Sequence, residues 1–295
     1  MRDLILFGDC RDTLTQFDEK ARCCVTSPPY YGLRNYGDEE NQIGHEQTPE
    51  EYVDEMVKVF RLVRDCLTDD GTVWLNMGDS YYNYRPGKGQ SYPKQSVSKT
   101  KQDLPDKCNK RGNKLQGLKE KDLIGIPWLL AFALRKDGWY LRQDIIWNKP
   151  NPMPESVKDR CTKSHEYIFL LSKSKNYYYD NEAIKEPTKE NGARSYSGVA
   201  KGNTTKNKRS VWTVNKKPYK GAHFATFPSE LIEPCIKAGS QEGDIILDPF
   251  IGSGTTAMVA KSLGRHYIGC ELHESYNDLI QNRVSQYTIN LEDFV

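Results

Sequence analysis

Asp244-Ile245-Ile246-Leu247-Asp248-Pro249-Phe250 runs directly into Ile251-Gly252-Ser253-Gly254-Thr255-Thr256. The first residues read as a buried strand and the glycines as its turn. Ala257 to Leu263 reads as a helix, and His266-Tyr267-Ile268-Gly269-Cys270-Glu271-Leu272 as the next strand. This is a βαβ unit with glycines at its first turn, and Glu271 ends the second strand 19 residues after Gly252. The glycines let the backbone approach a ligand closely, and Glu271 can accept both hydroxyls of a ribose. The P-loop Gly-Lys-Ser/Thr and the G-x-G-x-x-G pattern are both missing. Asp248 at the strand end would repel a pyrophosphate and attract an ammonium group. A nucleoside with a positive amino group, such as S-adenosylmethionine, fits these residues better than NAD or ATP. A plain strand–helix turn is the structural alternative.

In a dinucleotide-type sheet a third strand should follow Glu271, yet little sequence remains after it. Leu4-Ile5-Leu6-Phe7, ended by Gly8-Asp9-Cys10, supplies that strand from the other end of the chain, where its end could meet an adenine amino group. The next strand, Ala21 to Val25, feeds Thr26-Ser27-Pro28-Pro29-Tyr30. Pro28 and Pro29 have no N–H to donate, so the strand stops in a stiff turn whose carbonyls lack a strand partner. Ser27 adds a hydroxyl and Tyr30 a flat ring, which suits an exocyclic amino group on a planar base. An isolated Ser-Pro-Pro-Tyr could equally be an edge-strand turn. A circularly permuted, doubly wound, mostly parallel sheet puts both motifs at one carboxyl edge, side by side.

Elsewhere the chain alternates strand and helix. Thr48-Pro49-Glu50-Glu51 starts a helix with a capping box, and its apolar residues recur at helical spacing to Leu67. Asp69-Asp70-Gly71 reads as a turn before the strand Thr72 to Met77. A helix over Ile126–Leu134, strands over Trp139–Trp147 and Glu166–Leu171, and a helix from Ser229 to Gly239 follow. Asp79 is a candidate for the site or for a helix cap, and His165-Glu166 has no assignable role.

The 295 residues suffice for one large α/β domain with insertions or for two small ones. No apolar run approaches a membrane span, and the N-terminus reads as a strand, so a cytoplasmic, nucleoid-associated protein is expected. The eight cysteines contain no C-x-x-C pair and the five histidines lack ligand spacing. Reduced thiols and no metal are expected.

The net charge of +2 hides a division. Tyr82 to Lys121 holds 11 Lys/Arg against 3 Asp/Glu, and Ala183 to Gly221 holds 10 against 2. The remainder carries a net charge of −14. Two basic segments on an acidic body are the footprint of a polyanion-binding face; solvated loops are the alternative.

With both motifs quoted, the chain resembles the β-class amino-methylating DNA methyltransferases, which act on cytosine N4 or adenine N6. The resemblance rests on Thr26-Ser27-Pro28-Pro29-Tyr30 and Asp248 to Thr256, in that order, with His223 to Ser229 and Tyr267 to Glu271 alongside. It implies an S-adenosylmethionine-dependent enzyme with a Rossmann-like, circularly permuted fold. Residues 1–182 would form the catalytic half with a basic insertion at 82–121, residues 183–221 the target-recognition segment, and residues 222–295 the cofactor half. Ser27 and the Pro28 carbonyl would hold the amino group, with Pro29 stiffening the turn, and Tyr30 would stack on a base flipped from double-stranded DNA. Asp248 would bind the methionine ammonium. Phe250 and Phe227 would flank the cofactor, and Glu271 would hold its ribose. Asp9 and Cys10 would meet its adenine, and Pro249, Gly252, Ser253, Gly254 and Thr255 complete the cofactor loop. Phe227 and Cys10 also suit plain core positions. Ser27, where adenine enzymes mostly carry Asp, implies cytosine N4, with adenine N6 the alternative and an inactive DNA-binding module the third reading. The resemblance also raises a cognate restriction endonuclease as a partner and leaves monomer and homodimer open.

Overall fold

Residues 2–32, 42–82, 117–188, 204–216 and 227–285 are described by the computed structural model. Most of the first basic segment, residues 189–203 and 217–221 of the second, Arg34 to Gly37 and His223 to Thr226 lie outside them.

The expected strand–helix alternation is present. In chain order the elements begin with β1 (Leu4–Phe7), α1 (Cys10–Thr13), β2 (Ala21–Thr26), α2 (Pro49–Cys66), β3 (Leu67–Met77) and α3 (Ile126–Lys136). They continue with β4 (Tyr140–Asn148), β5 (His165–Ser172), the two-residue strands β6 (Glu186–Pro187) and β7 (Thr205–Lys206), and β8 (Val211–Thr213). The last are α4 (Ser229–Gly239), β9 (Ile245–Asp248), α5 (Thr255–Ser262), β10 (His266–Glu271) and α6 (Asn277–Ser285).

Among the described residues eight strands form one sheet in the order β1-β10-β9-β2-β3-β5-β4-β8. β1 pairs parallel with β10, and β9 pairs parallel with both β10 and β2. The sheet is thus permuted as the sequence implies. The carboxyl ends of β1, β10, β9 and β2 share one edge, and the order reverses between β9 and β2, where such sheets bind ligands. β5 runs antiparallel to β3 and β4. Its amino end, His165 and Glu166, therefore lies at the edge where its neighbours end. β8, from the second basic segment, pairs parallel with β4 and also ends there.

Alternate residues of the central strands face opposite cores, as a twofold side-chain period requires. Cys24, Val73, Leu75 and Leu247 face the layer of α1, α2 and α3. Cys23, Val25, Trp74 and Ile246 face α4, α5 and α6. α2 presents Tyr52, Met56, Phe60 and Val63, all fully buried, to the first layer. Burying each such side chain contributes about 1.5–3 kcal/mol.

One expectation is corrected. Asp69-Asp70-Gly71 does not break the chain between α2 and the next strand, because β3 starts at Leu67. β2 pairs Ala21 with Leu67 but Cys23 with Thr72, so the surplus residues form a bulge. Tyr178 N donates to Asp70 O (2.9 Å) and Lys173 N to Gly71 O (3.1 Å), which gives the bulged carbonyls partners.

The capping box of α2 is formed: Glu51 N donates to Thr48 Oγ1 (3.2 Å) and Thr48 N to Glu51 Oε2 (3.3 Å). Thr48→Ala should lower the unfolding free energy by about 1 kcal/mol. An unchanged urea midpoint would mean that packing alone fixes the start of α2.

Candidate active site

The site is built where β2 and β9 end side by side. Thr26 Oγ1 donates to Asp248 Oδ1 (2.6 Å), Thr256 Oγ1 to Asp248 Oδ2 (2.6 Å), and Phe250 N to Asp248 Oδ1 (3.0 Å). The carboxyl group is 1% exposed, and burial outweighs its donors, pushing it up to about 6. It joins the last residue before Ser27 to the first turn of α5. The glycine loop between needs its glycines: Gly252 has φ 51° and Gly254 φ 81°. A Cβ on Gly254 would also lie 2.9 Å from Ile280 Cγ2 of α6. From the next turn of α6, Arg283 Nη1 donates to Ser253 O (3.1 Å), Ser253 Oγ (2.5 Å) and Thr255 Oγ1 (3.1 Å). α6 thus clamps the loop, a role not read from the sequence because Arg283 lies outside the motif.

Glu271, 8% exposed at the end of β10, is raised above the usual carboxylate range by burial. His273 N donates to its Oε1 (3.0 Å), and Gly8 N donates to its backbone carbonyl (2.8 Å), which brings the end of β1 alongside. His273 Nε2 is buried with no partner among the described residues. Asp9 caps α1 through Arg11 N (2.8 Å), and its carboxylate is paired with the Arg11 guanidinium. Cys10 turns into the core, where burial raises its thiol far above the usual range. Pro249 is buried, and the half-buried Phe250 and Phe227 pack against opposite cores.

On the other side of Asp248, Ser27, Pro29 and Tyr30 are partly exposed and Pro28 is buried. Neither proline carbonyl has a strand partner among the described residues, as the sequence implies. Tyr52 Oη donates to Pro29 O (2.8 Å), whereas the Pro28 carbonyl takes no hydrogen bond from the described residues. Tyr30 reaches across the ends of β3 and β5. Its hydroxyl donates to Glu166 Oε2 (2.9 Å) and lies 3.4 Å from both Ser27 Oγ and Asn76 Oδ1. Burial and the neighbouring Glu166 carboxylate hold the phenol well above its usual range, so it remains a donor. Glu166 Oε1 is paired with Lys149, which follows β4. A pocket of about 180 Å³ opens here, lined by Tyr30, Gly78, Lys149, Lys163, Glu166 and Lys216 among others.

Asp79 lines the same pocket, but its carboxylate accepts from Gly125 N (3.1 Å) and Ile126 N (3.2 Å) and so caps α3. Lys149 and Asn76 were not legible as site residues: each sits alone near the end of a different strand. Burial keeps the remaining described cysteines, apart from the exposed Cys161, from acting as thiolates; the Cys66 thiol is pushed up to about 11.

The N6_N4_Mtase family of DNA methylases matches residues 21–282. The chain belongs to this family. It is 48% identical over 285 residues to the Type II methyltransferase M.Cfr9I of Citrobacter freundii, covering 96% of this chain and 88% of that one. It is 49% identical over 286 residues to M.SmaI of Serratia marcescens, covering 95% and 90%. Among solved structures, the cytosine-N4-specific PvuII DNA methyltransferase aligns over 98% of this chain and 91% of its own, with a TM-score of 0.65 at 19% identity. The fold is shared with this DNA methylase despite the low identity. Among the described residues no helix is long and apolar enough to cross a membrane.

Asp248 also fixes a pH dependence. Its folded-state value lies above the ordinary 3.8, so the folded protein binds more protons than the unfolded chain between those limits. Its contribution to stability is fully present below about pH 4 and falls as pH rises through about 6. Urea unfolding of the wild type and Asp248→Asn, followed from well below pH 4 to well above pH 6, should show their difference shrinking by about 3 kcal/mol. A difference independent of pH would contradict the assignment.

Proposed function

We propose that this DNA methylase transfers a methyl group from S-adenosylmethionine to the exocyclic amino group of a base flipped from duplex DNA, and that the acceptor is cytosine N4. The observation that carries the reading is the Thr26–Asp248–Thr256 joint, which couples the Ser27–Pro28 corner to the glycine loop.

The residues present fit the methyl donor. Asp248 and Glu271 are buried carboxylates of a kind suited to an ammonium and a ribose, with capacity beyond the bonds they already make. The orphaned His273 Nε2 beside Glu271 supports a polar ligand there. Gly252 and Gly254 give the backbone a close approach, and Phe227 and Phe250 would flank the ligand. Asp9 and Cys10 would line its adenine end through their backbone, since their side chains are engaged elsewhere. When bound, S-adenosylmethionine supplies a methyl group activated by a sulfonium.

The chain's own residues prepare the acceptor. An exocyclic amino nitrogen is a poor nucleophile because its lone pair is delocalised into the ring. Ser27 Oγ and the Pro28 carbonyl accept its two hydrogens, which favours a pyramidal nitrogen with the lone pair directed away from the corner. Tyr30 stacks on the base, a contact worth about 1–3 kcal/mol. Ser27 is a neutral acceptor where the family's adenine enzymes mostly carry a carboxylate, which favours cytosine. The basic segments would hold DNA phosphates. Lys216, at the lip of the pocket, links the second of them to the acceptor site. A cognate endonuclease would recognise the same DNA sequence.

Incubation with mixed-sequence duplex DNA and the methyl donor, followed by mass spectrometry of the nucleosides, should yield N4-methylcytosine. N6-methyladenine would overturn the choice of base, and no methylated nucleoside would overturn the function. Ser27→Ala should lower kcat by about tenfold to a hundredfold while leaving donor affinity unchanged. Glu271→Ala should weaken donor affinity in isothermal titration. Equal loss of donor binding in both variants would contradict the division of roles.

A further inference from the structure

Tyr30 is tethered at its hydroxyl, and the tether is assembled from three strands that meet only in the folded sheet. Glu166 Oε2 at the start of β5 accepts from the hydroxyl at 2.9 Å. Asn76 of β3 is 4% exposed, and its Nδ2 donates to Tyr167 O (3.1 Å), which turns its Oδ1 toward the phenol at 3.4 Å. Lys149, 5% exposed beyond β4, pairs with Glu166 Oε1 and lies 4.0 Å from the centre of the Trp147 ring. Gly78 closes the remaining side, since a Cβ there would lie 2.6 Å from Tyr30 Cε2. The ring is thus fixed at its tip and along its edge.

A buried ion pair is a poor way to gain stability, because apolar residues of the same volume would do as well or better. Its place, against the one aromatic ring of the acceptor corner and in the wall of the pocket, points to function instead. A ring attached only through Cβ could swing; one held at its hydroxyl and closed in at its edge by Gly78 offers a set face to an incoming base.

We propose that Glu166, held in place by Lys149 and Asn76, is a positioning residue that fixes the direction of the Tyr30 ring for the extruded base, its plane being limited by the close approach of Gly78. Glu166 acts through the tyrosine hydroxyl and touches no reacting atom. The role rests on the reading of Tyr30 as the stacking face.

Methyl transfer to duplex DNA is measured for the wild type, Tyr30→Phe, Glu166→Ala and the double variant, with donor affinity followed by titration calorimetry. Tyr30→Phe keeps the ring and leaves the Lys149–Glu166 pair intact, so it reports on the tether even if Glu166→Ala folds poorly. Each single variant should lose about tenfold to a hundredfold in kcat, with donor affinity and KM for DNA changed far less. The double variant should lose no more than the worse single one, since both remove one interaction. Glu166→Gln, which keeps one acceptor oxygen for the two donors, should lie between Glu166→Ala and the wild type. Wild-type kcat in Tyr30→Phe, or losses that multiply in the double variant, would overturn the role while leaving the methyltransferase reading intact. A wild type inactive on every duplex would overturn both.

Discussion

One buried carboxylate holds the two halves of the site in register. Asp248 lies at the end of β9 and takes hydroxyl donors from Thr26 of β2 and Thr256 of α5. An ionised carboxylate only accepts, and two hydroxyls with one backbone amide offset part of what burial costs it. Removing either threonine hydroxyl would leave a buried charge short of a donor, a costly state. The Ser-Pro-Pro-Tyr corner and the glycine loop therefore cannot shift separately without breaking a bond that burial makes hard to replace.

The remaining architecture serves this joint from both sides. Behind the loop, Arg283 and Ile280 of α6 fill the space that Gly254 leaves open. Beyond the corner, the antiparallel β5 brings an amino end to an edge otherwise built from carboxyl ends, and with it Glu166. A wholly parallel sheet would have placed that side chain at the opposite edge. The single reversal of strand direction is what allows a carboxylate to meet the Tyr30 hydroxyl.

The parts of the fold that follow local rules were readable from the chain. The capping box at Thr48, the Pro-Pro stop after β2 and the glycine turn after β9 each depend on residues a few positions apart. The permutation was readable because a missing third strand left β1 as its replacement. Asp69-Asp70-Gly71 misled because its turn composition is absorbed by a bulge whose carbonyls find partners in Lys173 and Tyr178, far along the chain. The Glu166, Lys149 and Asn76 cluster gave no pattern, since its members come from three strands. The pairing of Asp9 with Arg11 is a side-chain choice that spacing does not reveal. Asp79 stayed ambiguous until the amides of Gly125 and Ile126 were found on it.

The order of strands has a consequence for the protein as it leaves the ribosome. Among the described residues β1 pairs with β10 and β2 waits for β9 on one edge, so these strands are joined by others made much later. One edge of β2 stays open until Asp248 has emerged and β1 stays unpaired until Glu271 has, each a template for unwanted pairing. Joining them requires closing loops of more than 200 residues, which is slow compared with local helix formation. The edge where β1, β10, β9 and β2 end is therefore completed late, and a nascent chain holding the whole Ser-Pro-Pro-Tyr corner still lacks the strands beside it.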